Sequence, residues 1–234
     1  MTSGAANAGF FITGTDTAVG KTLITVALTR AFVARGIRTA VMKPVAAGVM
    51  QTADGPRNDD ALELLAASNV TAPYDDVNPW LLTMPASPHL AARHDGISIG
   101  RERIIAAHRR LAAHAELVLV EGAGGWLAPI SGTATMADVA VSLDLPVIIV
   151  VALRLGCLNH ALLTRAAIRS CGLPFAGWIA NRMPLEMPLA NANIETLASR
   201  FGVAPLAIVP PGAGARAMDA PAWADEAAKK LVSA

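Results

Sequence analysis

Nine residues, Gly14-Thr15-Asp16-Thr17-Ala18-Val19-Gly20-Lys21-Thr22, follow the apolar run Phe10-Phe11-Ile12 and precede a helix-forming stretch at 23–33. A strand that breaks into a glycine-bounded loop ending in Gly-Lys-Thr, and then enters a helix, is an arrangement that cradles phosphates. Gly20 permits positive φ and close approach of backbone to an anion. The loop amides around Asp16, Thr17, Ala18 and Val19, with the helix N-terminus, point at the anion. Lys21 can reach the β- and γ-phosphates of a nucleotide, and the Thr22 hydroxyl can take a Mg²⁺ position. Five residues separate Gly14 from Gly20, where the common pattern has four.

Other candidates sit at the ends of apolar runs. Lys43, in Lys43-Pro44-Val45-Ala46-Ala47-Gly48, is either a snorkelling strand-end residue or a cation held beside the phosphates, and its strand-end place favours the second. Arg57-Asn58-Asp59-Asp60 precedes a helix; it reads equally as an N-cap with acids in the first turn or as a second carboxylate for a magnesium shell. Glu121 ends the run Leu117-Val118-Leu119-Val120, where nucleotide-binding proteins place the acid that holds Mg²⁺. A buried carboxylate there without a cation would be costly. Gly122, Gly124 and Gly125 follow and let backbone approach a ligand. In Leu155-Gly156-Cys157-Leu158-Asn159-His160, Asn159 either caps a helix or marks a helix start that takes a substrate carboxylate. Asn181 either meets a base edge or forms a turn. The histidines show no zinc spacing, and no serine–histidine–acid pattern is visible.

These residues must be positioned by alternating elements. Strands are predicted at 10–13, 39–43, 117–121, 147–152, 175–180 and 206–209, and helices at 21–34, 59–67, 101–114, 135–143, 159–170 and 191–201. The strands are near-continuously apolar, as expected where helices cover both faces of a parallel sheet. The alternation argues for an α/β fold, an open and mostly parallel sheet with helices on both faces, like the P-loop NTPases. Ligands then gather beyond the carboxyl ends of the strands. Ser87-Pro88 reads as an N-cap with proline in the first helical position. The proline-rich stretch 70–88 reads as an ordered loop layer over the sheet. The loop at 210–214 precedes a short tail helix from Ala220. With no repeat and no linker, one domain over 1–234 is expected.

Composition narrows the function classes. The 234 residues are 53% hydrophobic and 16% charged, with a net charge of +1, so there is no footprint for nucleic acid or an acidic membrane. Residues 1–9 lack the basic and apolar regions of a signal peptide, and the longest apolar run, 145–153, falls far short of the ~20 residues of a membrane span. Cys157 and Cys171 form no metal-type spacing, which fits a reduced, cytoplasmic protein.

Taken in order, the loop 14–22, Lys43-Pro44-Val45, Arg57-Asn58-Asp59-Asp60-Ala61, Ser87-Pro88-His89, Val120-Glu121-Gly122-Ala123-Gly124-Gly125-Trp126, Leu155-Gly156-Cys157-Leu158-Asn159-His160 and Gly177-Trp178-Ile179-Ala180-Asn181 make the chain resemble the dethiobiotin synthetase family almost end to end. The resemblance fades past Val203. It implies a ligase of biotin biosynthesis that uses ATP and Mg²⁺. 7,8-Diaminononanoate would be carboxylated by CO₂ to a carbamate, which ATP converts to a carbamic–phosphoric anhydride before the second amine closes the ring. It further implies that Lys21 and Lys43 are catalytic and that Thr22, Asp60 and Glu121 hold the metal. Asn181 would help hold adenine. Substrate would meet Lys43, Ala47, Gly124 and Gly125 in one chain of a homodimer and Leu155, Gly156 and Asn159 of the other. Two positions depart from the family: Ala18 stands where an acid is common, and Ala47 where a hydroxyl residue often stands. Cobyrinic or cobyric acid amidating synthases share the loop style but carry an additional glutaminase domain. Partition and septum-placement ATPases place a second lysine early in the loop, where this chain has Thr15 and Asp16.

Overall fold

The computed structural model of the chain describes residues 8–183, 187–213 and 220–233. The strands β1 (Ala8–Gly14), β2 (Thr39–Met42), β7 (Leu117–Gly125), β8 (Val147–Leu153), β9 (Phe175–Arg182) and β10 (Ala207–Val209) form one six-stranded sheet in the order β10-β9-β8-β1-β7-β2. Every pairing in it is parallel. β1 is central, and the chain builds first to one side of it and then to the other. That reversal of strand order at β1 is where open α/β sheets bind ligands.

The continuous apolar runs still alternate in space. Phe11, Val118, Val120, Ile149 and Val151 pack on one face, against helices α2 (Asp59–Ala67), α5 (Arg101–Ala112), α6 (Met136–Leu143), α7 (Cys157–Ser170) and α8 (Ala190–Phe201). Ile12, Leu117, Leu119, Ile148 and Val150 face α1 (Lys21–Ala34) and the tail helix α9 (Ala222–Val232). Both faces are dry, so neither strand face needs polar residues.

Several elements differ from the sequence expectation. The stretch 39–43 ends as a strand at Met42, and Val45–Ala47 forms β3, which pairs in parallel with β6 (Trp80–Leu82) in a small second sheet. The supposed loop layer at 70–88 therefore holds β6 and the short helix α3 (Tyr74–Val77). A hairpin of β4 (Met50–Thr52) and β5 (Gly55–Arg57) precedes α2. Proline density hid these pieces, because each is only three or four residues long and so has no measurable periodicity. Pro88 does open a helix, α4 (Pro88–His94), but Ser87 makes no side-chain cap. Strand β7 runs on to Gly125, so the glycines placed after it belong to it. At 135–143 the helix starts at Met136, with the Asp138 carboxylate accepting from both the N–H (2.7 Å) and the hydroxyl (2.9 Å) of Thr135. Gly214, in the predicted loop at 210–214, and residues 1–7 of the amino terminus lie outside the described residues.

Candidate active site

The carboxyl ends of β1, β2 and β7 open into a cleft of about 830 Å³. Its floor is the loop between β1 and α1. Gly20 caps α1 with φ 92°, and a Cβ there would lie 2.3 Å from the Asn181 side-chain nitrogen, so only glycine fits. Ala18 in the same loop also has positive φ, 56°, which a residue with a Cβ adopts only under strain. The Lys21 ammonium folds back and donates to the Asp16 carbonyl at 3.0 Å. Burial pulls its pKa down to about 8, with Glu121 opposing that shift and Lys43 adding to it.

Lys43 is 5% exposed, and its ammonium bridges two carboxylates, donating to Asp60 at 2.9 Å and to Glu121 at 2.5 Å. Thr22 donates its hydroxyl to the same Glu121 oxygen at 3.0 Å. Burial works to lower the Lys43 pKa, but the two carboxylates outweigh it and hold the group above the usual lysine range. Burial likewise works to raise Asp60, and Lys43 reverses the sign, keeping it ionised below the usual aspartate range. Lys43 and Asp60 are thus both charged at neutral pH, each opposed by the other.

Glu121 is fully buried, and its second oxygen, Oε2, has no hydrogen-bond partner. An unpartnered buried carboxylate oxygen is costly unless a cation meets it. Thr22, Asp60 and Glu121 therefore present the hard oxygen donors that suit Mg²⁺, which takes one or two carboxylates and leaves its other positions to water and phosphate. No group of three or more His, Cys, Asp or Glu able to hold a metal occurs among the described residues. The donor set is a two-carboxylate one that Lys43 already shares.

The cleft brings together Thr17, Ala18, Gly20, Lys21, Thr22 and Lys43 with Ala47, Asp60, Glu121, Gly124 and Gly125. Ala47 ends β3 and offers only a methyl group, so no hydroxyl contact arises there. Asn58 resolves one open reading: it is the N-cap of α2, accepting from Ala61 N–H at 3.2 Å. By fixing that helix start it also places Asp60. Asn181 forms no turn; it lies in β9, and its side-chain N–H donates to the Val19 carbonyl at 2.8 Å, bracing the loop from below.

Leu155, Gly156 and Asn159 do not line this cleft. Gly156, at φ 92°, is the residue preceding α7, so Asn159 lies within the first turn rather than capping it. Leu155 is 95% exposed.

Some of the positioning was missed from sequence. Pro85, Ser87 and Pro88 form a wall of the cleft. Asn78 donates to the Lys43 carbonyl at 2.7 Å, and Lys43 N–H donates to Val77 at 2.7 Å, so α3 fixes the backbone that carries the buried lysine. The Tyr74 hydroxyl accepts from Asn58 N–H at 2.8 Å. Arg154, directly after β8, pairs with Asp16 at 2.5 Å; the strand-end rule that found Lys43 and Glu121 pointed to it equally. Among the described residues, no helix is long and apolar enough to cross a membrane.

A family model described as an AAA domain matches residues 8–218. Among curated proteins, the chain is 47% identical over 201 residues to the ATP-dependent dethiobiotin synthetase BioD of Cellvibrio japonicus (strain Ueda107), covering 86% of this chain and 88% of that one. Among solved structures it is similar to the MinC:MinD cell division protein complex of Aquifex aeolicus, with TM-score 0.60 at 13% identity over 97% of this chain and 96% of that one. It is similar also to the septum site-determining protein MinD of Pyrococcus horikoshii OT3 complexed with Mg-ADP, with TM-score 0.58 at 15% identity over 94% of each chain. At those identities the structural likeness establishes a P-loop NTPase fold alone, whereas the 47% identity extends over 86% of the chain. The chain belongs to the ATP-dependent dethiobiotin synthetase family.

Proposed function

We propose that the chain, working as one domain, converts 7,8-diaminononanoate, CO₂ and ATP to dethiobiotin, ADP and phosphate with Mg²⁺. Family membership makes it an ATP-dependent ligase. The single observation that carries the finer reading is the juxtaposition of two lysines, Lys21 and Lys43, at one carboxylate, Glu121, inside the nucleotide-loop cleft.

An amine of the substrate adds to CO₂ and loses a proton, giving a carbamate. The carbamate oxygen attacks the γ-phosphorus of ATP and ADP leaves, forming a carbamic–phosphoric anhydride. The second amine attacks the carbonyl carbon, phosphate departs, and a cyclic urea results. The first transfer forces two anions together, and positioned cations offset their repulsion in a low-dielectric cleft. Lys21 suits the β- and γ-phosphates, because the loop that carries it also presents backbone amides. Lys43 is held from below by Glu121 and Asp60, which leaves it oriented toward the cleft for the carbamate. Mg²⁺, held by Thr22, Asp60 and Glu121, would neutralise phosphate charge when bound. The glycines Gly124 and Gly125 allow the substrate close to backbone, and Asn181 stands at the loop for the adenine end.

The exposed segment of Leu155, Gly156 and Asn159 supports a homodimer, in which it takes the substrate carboxylate of the partner's site at the start of α7. Such an enzyme works in the cytoplasm on small molecules. Incubation with diaminononanoate, bicarbonate, ATP and Mg²⁺ is expected to yield dethiobiotin by mass spectrometry, with ADP in equal amount. Folded protein that forms no dethiobiotin under those conditions overturns the proposal.

A further inference from the structure

Asp16 makes three separate contacts. Its Oδ1 accepts from the Thr17 N–H at 2.7 Å, its Oδ2 accepts from the Arg154 guanidinium at 2.5 Å, and its backbone carbonyl accepts from the Lys21 ammonium at 3.0 Å. The Asp16 carboxylate is therefore fixed from one side by its own loop and from the other by the end of β8. Its carbonyl, which aims the Lys21 ammonium, belongs to the Asp16–Thr17 peptide whose N–H the same carboxylate binds. Backbone pairing of the two segments stops one residue earlier, at Thr15 N–H to Val150 carbonyl, 3.1 Å. Beyond that point the Arg154 side chain carries the connection.

We propose that Arg154 is a positioning residue of the nucleoside triphosphate site, acting through Asp16 to set the peptide that orients Lys21. The pair is half exposed, 49% for Arg154 and 48% for Asp16, so it contributes little to stability. Its effect is on loop geometry. Arg154 also begins the bend of Arg154, Leu155 and Gly156 that leads into α7, and Cys157 N–H closes that bend on the Arg154 carbonyl at 3.0 Å. Whatever engages Leu155 is thereby tied to the phosphate loop. The assignment deepens the ligase reading and rests on its placement of the nucleotide.

The test measures binding of a non-hydrolysable ATP analogue with Mg²⁺ by calorimetry, independently of dethiobiotin formation. Arg154→Gln and Asp16→Asn are each expected to weaken binding by about tenfold, and the double variant to bind no more weakly than either single one. Arg154→Lys, which keeps the charge, is expected to recover at least about half of the loss in binding free energy. Melting temperatures should stay within about 2 °C of the parent, as for an exposed ion pair. Wild-type affinity in Arg154→Gln, or losses that add in the double variant, would overturn the role. Failure to form dethiobiotin with normal analogue binding and the same pattern among variants would overturn the ligase reading and leave Arg154 in place.

Discussion

Two regions at the same edge of the sheet are built on opposite principles. Around Glu121, four polar side chains, one just after β2, one within β7 and one in the first turn of each of α1 and α2, lock one another: Lys43 on both carboxylates, Thr22 on Glu121, with Lys43 and Glu121 buried. At the end of β8, by contrast, Arg154, Leu155 and Gly156 stand in solvent, and Leu155 buries almost nothing. The first region is complete within one chain and its geometry is set before ligand arrives. The second leaves its leucine almost bare among the described residues. Preorganised charge suits the reacting end of a substrate, where misplacement is expensive in rate. An exposed segment suits the distal end, where grip matters more than alignment.

The largest effect expected from breaking the first region is on chemistry. Glu121→Ala should lower turnover by about 10³-fold or more, about 4 kcal/mol in barrier, because it removes a carboxylate of the proposed metal set and the anchor of Lys43 together. Dethiobiotin formation under saturating substrates measures this, and activity above a tenth of the parent would refute the assignment. Lys43→Met comes next, read as stability. It leaves Glu121 buried without the ammonium that hydrogen-bonds it and should cost about 3–5 kcal/mol in urea unfolding, whereas Leu155→Ser should cost under about 0.5 kcal/mol. Equal losses at the two positions would erase the contrast between the regions.

A smaller effect is a pH dependence. Lys21 holds its proton to about 8 when folded, against 10.5 as the ordinary lysine value. The unfolded chain thus binds more protons between those values, so the Lys21 contribution to stability rises as pH climbs from about 8 toward 10.5. Below about 8 the cost of burying its charge is present in full. Free-enzyme kcat/KM for ATP should fall over the same range, with a basic limb near 8. A profile flat to pH 10 would mean that Lys21 is not needed as a cation. The smallest effect is at Ala18, whose φ of 56° glycine would adopt freely. Ala18→Gly should change stability by no more than about 1 kcal/mol, since relief of strain opposes the greater freedom of the unfolded chain. A loss beyond that would show the methyl group to be packed.

The P-loop, the six main strands and the lysine and glutamate at strand ends were legible because each carries its signal locally. A phosphate loop needs a glycine at a fixed place before Lys-Thr, and a buried parallel strand has to be apolar throughout. The short elements β3, α3 and β6 left no such signal, yet they hold Lys43 from behind through Val77 and Asn78. Asn58 was read together with Asp59 and Asp60 as one run, because a cap and a metal-shell carboxylate both suit a helix start. Its hydrogen bond to Ala61 N–H decided for the cap, while Asp60, two residues on, took the ion pair.

By itself, the sequence determined the strand–loop–helix at residues 10–34, the parallel sheet and the identity of the charged residues at its carboxyl edge, because spacing and hydrophobicity act over short stretches of chain. Only the tertiary structure decided that Lys43 would sit between Asp60 and Glu121, that Asn181 would brace Val19, and that Arg154 would meet Asp16. Those partners lie 17, 78, 162 and 138 residues apart in the chain. Contacts of that separation are fixed by strand order and register, through burial of apolar faces far from the charges themselves.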